Sequence, residues 1–409
     1  MPKLLQINVT ANWGSHGRIA EEIGMLAMSN GWESYIAYGR YANPSKSHLI
    51  KIGNKWDVRI HGIETRLFDR HGLASAKATR TFVNTIESLK PEIIHLHNIH
   101  GYYLNYPILF NFLSRYGRPV IWTLHDCWPL TGHCAFPVII KCEKWMNECY
   151  DCPLIHGYPS SYILDKSNKH YHLKKNYFTS LPDLHIVTVS KWLEGMVKSS
   201  CLKDYDIRHI YNGIDLTEFC PRKIYEDNIF DRLDISDNQK KILGVANIWD
   251  DRKGLLDFYK LREKLDNDYL IILVGLNEKQ RKKLPRGIVG MGRANSIQQL
   301  AEIYSMADVF VNPSIAETFG MTTAEALSCG TPVIVYNETA CPELVDEHTG
   351  VVVPVGNIQK MADAIVSLCN LKYYTTISEA CRKRAELMFN KQDRFQEYIN
   401  LYEEILQKG

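Results

Sequence analysis

The stretch at 312–330, NPSIAETFGMTTAEALSCG, leaves the chain few choices of fold. ADVFV (307–311) ahead of it and TPVIVY (331–336) behind it are short, β-branched, apolar runs of the kind that form buried parallel strands. The residues between them must therefore turn off one strand, form a helix and return to the next strand. Gly320 allows a backbone that a ligand can approach closely, and the run from Met321 to Cys329 is a good helix former that Gly330 closes as a left-handed cap. The first turn of such a helix carries N–H groups without intrahelical acceptors, aimed out of the carboxyl end of a sheet. An anion such as a diphosphate is stabilised there.

Two carboxylates frame this helix. Glu317 stands in the loop ahead of it and Glu325 lies about a turn and a half inside, so both can face one ligand while too far apart to share a proton. Glutamates on loops and helices are ordinarily solvated. Ala324, Ala326 and Leu327 give Glu325 small or apolar neighbours, however, and a carboxylate in that setting needs a hydrogen-bond donor.

These residues stand in a longer frame, PS-x-x-E-x-FG-x-x-x-x-EAL-x-x-G-x-PV, which resembles the signature of the retaining GT-B glycosyltransferases of family 4, the glycosyl transferases group 1. The resemblance implies an α/β chain of two doubly wound, Rossmann-like domains facing across a cleft that holds the ligand, with a C-terminal helix crossing back to the first domain. It implies a transferase that uses a nucleoside diphosphate sugar, such as a UDP-sugar, and needs no metal for transfer. In its terms Glu317 orients the donor sugar and Glu325 accepts from the ribose hydroxyls. Thr318, Phe319, Gly320 and Met321 line the diphosphate.

A length of 409 residues suggests two domains. Hydrophobic content of 45% and charged content of 23% are those of a globular protein, and a net charge of +2 gives no reason to expect a nucleic-acid partner. No run of about 18 apolar residues occurs, and MPKLLQINVT runs straight into a strand, so the expected location is cytoplasmic. The expected domains are 1–213 on the acceptor side and 214–389 for the nucleotide sugar, with 390–409 as a helix packing back on the first.

In the first domain, LLQINV (4–9) is a strand followed by a turn with Gly14 and a helix. This approach geometry is shared with ordinary tight βα turns. By resemblance Gly14 and Ser15 lie under the donor phosphates. Residues 51–90 form a helical, mildly basic region with eight Lys or Arg against four acids, interleaved with Trp56, Ile60, Ile63, Leu67 and Phe68. A solvated helix face and a peripheral dock for anionic bilayer headgroups both fit it. The strands PEIIHLH (91–97) and PVIWTLHD (119–126) end in His97 and His125, on the edge where an open α/β sheet keeps its site. The T-x-H at Thr123 to His125 resembles the family position whose histidine faces the donor sugar, so His125 is the first candidate and His97 the second.

Residues 127–152 have no helical or strand period. Cys134, Cys142, Cys149 and Cys152 fall there at C-x7-C-x6-C-x2-C, with His133 beside the first. The final C-x2-C is a chelate spacing, and four thiolates can close a tetrahedral structural zinc site. The other spacings match no standard ribbon, so disulfides and free thiols stay open. The six remaining cysteines outside 127–152 are scattered and read as small buried hydrophobes.

The second domain opens with a strand, a loop and a helix at 240–265, where Arg252 and Lys253 precede Gly254 at the helix start. An Arg fork and a Lys point charge suit two leaving-group phosphates, although paired bases in a loop are often only solvated. Lys253 resembles the family's phosphate-binding lysine. The family's arginine stands about five residues earlier, where this chain has Asn247, so either Arg252 or Asn247 fills that role. YLIILVG (269–275) and GIVGMG (287–292) read as central strands, and by resemblance Gly292 and Arg293 line the nucleobase.

The resulting expectation is a retaining, metal-independent hexosyltransferase acting on a glycan or lipid-linked acceptor in cell-surface polysaccharide synthesis. A non-hydrolysing nucleotide-sugar epimerase and a catalytically dead nucleotide-sugar-binding subunit fit the same residues. A Rossmann dehydrogenase does not, because no G-x-G-x-x-G follows either first strand.

Overall fold

The apolar runs become strands of two all-parallel sheets. The structure, a computed structural model, describes residues 1–222, 238–370 and 374–408. The chain divides into two units, Met1–Ile210 with Arg394–Gly409, and Tyr211–Asp393.

The strands of the first unit are β1 (Lys3–Asn8), β2 (Glu33–Tyr38), β3 (His48–Lys51), β4 (Ile93–Leu96), β5 (Val120–Leu124), β6 (Leu184–Thr188) and β7 (Asp206–His209). They are joined by α1 (Gly14–Ser29), α2 (Lys55–Phe68), α3 (Ala76–Leu89), α4 (Tyr106–Tyr116), α5 (Ser167–Phe178) and α6 (Lys191–Lys198). The sheet order is β3-β2-β1-β4-β5-β6-β7. The chain winds outward from β1 in one direction and then restarts at β4 on its other side, which is the reversal where doubly wound sheets bind ligands.

The second unit repeats the plan with β8 (Lys240–Val245), β9 (Tyr269–Val274), β10 (Ile288–Met291), β11 (Val309–Asn312), β12 (Val333–Tyr336) and β13 (Gly350–Val353), in the order β10-β9-β8-β11-β12-β13. Its helices are α7 (Leu255–Arg262), α8 (Glu278–Arg281), α9 (Ile297–Met306), α10 (Met321–Ser328), α11 (Ile358–Cys369) and α12 (Tyr374–Phe389). Strands β4, β5, β9, β11 and β12 are buried along their whole length, as parallel strands covered on both faces must be. The run at 287–292 departs from expectation: β10 is an edge strand with only Ile288 buried, because it has a neighbouring strand on one side alone.

The last helix, α13 (Lys391–Lys408), starts in the second unit and continues into the first. Its Phe395, Tyr398, Ile399, Tyr402 and Ile405 share one core cluster with Leu4, Ile23, Trp32, Ile93, Ile121 and Val187. Among the described residues no helix is long and apolar enough to cross a membrane.

Candidate active site

Strand order in the second sheet reverses between β8 and β11, so the loops that follow these two strands, 246–254 and 313–320, are neighbours at the carboxyl edge. Asp250 caps the turn Asp251–Lys253, its carboxylate accepting the Lys253 N–H at 3.2 Å. Gly254 follows at φ 71°, and a Cβ there would stand 2.5 Å from the Pro313 carbonyl oxygen. Only glycine permits both that backbone and that approach.

The loops are then stitched together. The Ile315 N–H and the Ser314 hydroxyl donate to the Arg252 carbonyl at 3.0 and 3.2 Å, and Arg252 Nη1 donates to the Ala316 carbonyl at 3.4 Å. Lys253 Nζ donates to Glu317 Oε1 in an ion pair whose side chains are only 20% and 13% exposed. Glu317 is held from behind as well, since its N–H donates to Thr339 Oγ1 at 3.0 Å and its carbonyl accepts the Ala340 N–H at 3.3 Å.

Gly320 takes a left-handed backbone at φ 102° and hands the chain to α10. The Thr323 and Ala324 amides return to the Gly320 carbonyl at 3.0 and 3.2 Å, so the Met321 and Thr322 amides come before the first of these intrahelical bonds. Thr318 and Met321 are half-buried beside them. Phe319 is buried, its ring 5.9 Å from Tyr211 and 5.6 Å from Phe389, so this side chain is a wedge in the core and only its backbone is left for a ligand.

The donor that Glu325 requires is Tyr304, on α9, whose hydroxyl donates to Glu325 Oε2 at 3.0 Å. Tyr304 is fully buried. Burial first, and then the Glu325 charge it faces, push its pKa well above the ordinary phenol value, which keeps it a donor. Asn312 Nδ2 donates to Thr323 Oγ1 at 3.0 Å and pins the end of β11 to α10. Asn247 is exposed in the loop after β8. Gly292, whose carbonyl accepts the Gly275 N–H at 3.0 Å, and the exposed Arg293 follow β10, two strands away from β8. The structure gathers Arg252, Lys253 and Glu317, and leaves Gly292 and Arg293 at the sheet edge.

In the first unit the corresponding reversal lies between β1 and β4. The loop after β1 enters α1 at Gly14, with Ser15 exposed in the first turn. Asn8 Oδ1 accepts the Val9 N–H at 2.9 Å and meets His16 Nδ1 at 3.1 Å, so that ring nitrogen carries the hydrogen. His97 and His125 stack at 5.4 Å, with His97 Nδ1 and His125 Nε2 3.1 Å apart.

Hydrogen-bond direction in this pair follows from Gln6. Gln6 Nε2 donates to the Ala20 carbonyl at 2.7 Å, which leaves its Oε1 to accept from His97 Nε2 at 3.0 Å. His97 Nδ1 is then an acceptor, His125 Nε2 donates to it, and His125 Nδ1 is left as an acceptor. These rings stay neutral. Burial first, and neighbouring imidazoles second, hold His97 and His125 well below the ordinary histidine range and His16 down at about 4. Behind them His95, also buried and lowered to about 3, meets Tyr402 Oη at 2.7 Å and Thr123 Oγ1 at 2.8 Å.

Sequence reading named His97 and His125 but missed Asn8, His16, Gln6 and the dyad beside them, His100 Nε2 to Asp126 Oδ2 at 2.8 Å. Asp126, immediately after His125, was the available signal. Gln6 and Tyr304 carried none, because both are ordinary residues until the fold brings a partner to them.

Cys134, Cys142, Cys149 and Cys152 line one small pocket with His133, Lys144 and Trp145. All four are free thiols. The Gly132 amide donates to Cys149 Sγ at 3.1 Å. Cys134 and Cys152 share a hydrogen bond that pulls Cys152 down to about 7 and, with burial, pushes Cys134 up. His133 Nδ1 is taken by Asp69 Oδ1 at 2.9 Å. Among the described residues no group of three or more His, Cys, Asp or Glu is placed to hold a metal ion.

Residues 17–218 match the family described as Glycosyltransferase Family 4, and residues 239–370 match Glycosyl transferases group 1. The Escherichia coli strain K12 protein described as "Putative colanic acid biosynthesis glycosyl transferase WcaC" is 24% identical over 427 residues, covering 98% of this chain and 100% of its own. The UDP-Gal:alpha-D-GlcNAc-diphosphoundecaprenol alpha-1,3-galactosyltransferase of Escherichia coli is 26% identical over 234 residues, 50% of this chain and 57% of its own. Among solved structures, sucrose-phosphate synthase from Thermosynechococcus elongatus aligns over 100% of both chains with a TM-score of 0.73 at 17% identity, a likeness of fold. The two family matches fall one on each doubly wound sheet, and the chain belongs to the GT-B glycosyltransferases of family 4, the glycosyl transferases group 1.

Proposed function

We propose that this glycosyltransferase moves a hexosyl group from a nucleoside diphosphate sugar, with a UDP-sugar the first donor to test, to a hydroxyl of a lipid-linked or glycan acceptor, with retention at the anomeric carbon. The observation that carries the reading is the Lys253–Glu317 ion pair at the reversal of the second sheet, beside Arg252 and ahead of the α10 N-terminus. Breaking the anomeric bond puts charge on the departing diphosphate, and fixed cations and amides are what stabilise it. Lys253 and Arg252 supply the cations, and the amides from Thr318 to Met321 supply the donors, so the transfer itself needs no metal.

Glu317 keeps an oxygen for a sugar hydroxyl when the phosphates draw Lys253 toward them. Glu325, fixed by Tyr304, accepts from the ribose. His125 accepts from a hydroxyl through Nδ1, the direction Gln6 and His97 impose. Among the described residues no side chain of this site is a nucleophile set against a base, and the leaving phosphate takes the acceptor proton on the same face.

The relatives named for colanic acid and for a diphosphoundecaprenol-linked acceptor support a role in surface-glycan synthesis and contact with a membrane surface. The cysteine pocket is a separate, structural matter: its four thiols are not placed to hold a metal as they stand, and a zinc ion would have to draw them together, tying down residues 127–152 without taking part in transfer. The test is thermal unfolding against UDP-, GDP-, ADP- and dTDP-sugars with and without EDTA. It is followed by transfer to a diphospho-lipid acceptor with the product's anomeric configuration read by NMR. A ligand at a hundred times its Kd adds about 2.7 kcal/mol. No shift with any nucleotide sugar removes the catalytic reading, and an inverted product removes the stereochemical one.

A further inference from the structure

Helix α2 is amphipathic the wrong way round for a solvated helix. Its buried residues are His61, Gly62 and Thr65. His61 is anchored by polar bonds, its Nδ1 2.9 Å from Ser75 Oγ and its Nε2 accepting the Gly72 N–H at 3.0 Å. The Thr65 hydroxyl donates back to the His61 carbonyl at 2.8 Å. The apolar stripe faces solvent instead: Trp56 is 67% exposed, Ile60 52%, Ile63 54% and Leu67 36%, at the i, i+4, i+7, i+11 spacing of a single helix face. A second element enlarges the patch. Tyr162 N–H donates to the Arg66 carbonyl at 2.8 Å and brings Tyr162, Ile163 and Leu164, all exposed, to the end of α2. Large apolar side chains exposed together on one helix face, rather than singly, mark a contact site.

Charge decides the occupant. Lys55, Arg59 and Arg66 are exposed along the same helix. Its two acids are engaged: Asp57 accepts the Asn54 N–H in the capping box, and Glu64 pairs with Arg70 at 3.3 Å. Arg59 lies over the Trp56 ring at 5.1 Å, so cation and aromatic ring present themselves together. A two-fold contact with a second copy would set these cations against one another. A bilayer surface with anionic headgroups takes both halves at once, the rings and aliphatic chains entering the headgroup boundary and the cations meeting phosphates.

We propose that the outward face of α2, extended by Tyr162, Ile163 and Leu164, is a membrane-docking surface for anionic phospholipid headgroups. It gives a purpose to the lipid-linked acceptor in the reading above and rests on that reading only there, since docking is measurable without turnover. The experiment is co-sedimentation of the full chain with phosphatidylcholine vesicles and with vesicles containing phosphatidylglycerol, at low and high salt. We expect binding to the anionic vesicles alone and weakening with salt. Arg59→Ser with Arg66→Ser should weaken it about thirtyfold, at roughly one charge contact each. Trp56→Ser with Ile60→Ser should abolish it, with an unchanged unfolding midpoint and an unchanged donor-induced shift showing that both units remain folded. The proposal is overturned if the wild-type chain ignores anionic vesicles, if the variants bind as wild type does, or if sedimentation shows a dimer that Trp56→Ser with Ile60→Ser dissolves. Loss of the donor shift with vesicle binding intact would instead remove the catalytic reading and leave this one standing.

Discussion

Around the reversal of the first sheet stand His16, His97 and His125, imidazoles that burial keeps neutral; at the same point of the second sheet stand Lys253, Arg252 and Glu317, organised as an ion pair and its neighbour. Two sheets of the same winding therefore carry different chemistry at equivalent places, with the His100–Asp126 dyad as the charged neighbour on the first. A group that leaves as a diphosphate calls for fixed positive charge, whereas a sugar or acceptor hydroxyl calls for a hydrogen bond of set direction without a charge that would also attract water and ions. All the histidines but His348 belong to the first unit.

Substitutions that remove charge from the second unit should break this contrast most visibly. Lys253→Ala and Glu317→Ala are each expected to lower kcat by about a hundredfold or more. The double variant should lose much less than the product of the two, because each single change strands the other half of the pair. Steady-state transfer assays on the four proteins check this, and additive losses would mean that the ion pair is not a working unit. In the first unit His125→Ala should cost about tenfold. Gln6→Ala, which touches no reacting group, should cost less and alter the pH dependence, since it releases the tautomer of His97 and through it that of His125. Tyr304→Phe removes one hydrogen bond to a carboxylate, worth about 1.5–3 kcal/mol when charged. Its expected signature is a KM for the donor raised about tenfold with kcat little changed.

The same contrast extends to acid. A histidine lowered by burial is neutral in the folded chain, so below its ordinary value of about 6.5 the unfolded chain binds more protons and stability falls with falling pH. For His61 and His95, both lowered to about 3, the loss continues to that value and is on the order of 2 kcal/mol each by pH 5. All the tryptophans but Trp249 lie in the first unit, so indole fluorescence during thermal unfolding reports mainly on it. A midpoint by fluorescence that holds steady from pH 7 to pH 5 would contradict the neutral, buried state of these rings. The smallest effect should come from EDTA, which is expected to leave transfer unchanged; metal analysis of protein purified without added zinc tests the cysteine pocket directly.

Most of the architecture was legible in the sequence, because parallel strands covered on both faces must be continuous apolar runs, and ADVFV, TPVIVY and YLIILVG are such runs. The frame around Glu317 was legible for a related reason: its loop needs glycine and small residues at fixed spacing to turn and approach. What a sequence conceals is which way a pattern faces. The apolar period of α2 is plain from Trp56 to Leu67, but only the fold shows that the helix buries His61 and Thr65 and turns that stripe outward. Partners that are distant along the chain are hidden likewise. Tyr304 reaches Glu325 only because α9 packs beside α10, and Gln6 reaches His97 only because β1 and β4 are adjacent.

The helix α13 follows the second unit in sequence yet belongs to the core of the first. During synthesis at about 5–20 residues per second, the strands of the first unit leave the ribosome well before Phe395, Tyr398 and Tyr402 exist, and must wait roughly ten to forty seconds while the second unit is made. For that interval Ile23, Trp32 and Ile93 lack the side chains that cover them, and His95 lacks the hydroxyl of Tyr402. Nascent chains are therefore most exposed to chaperones and proteases through the first unit, and a stop codon placed ahead of α13 should unfold that unit before the second.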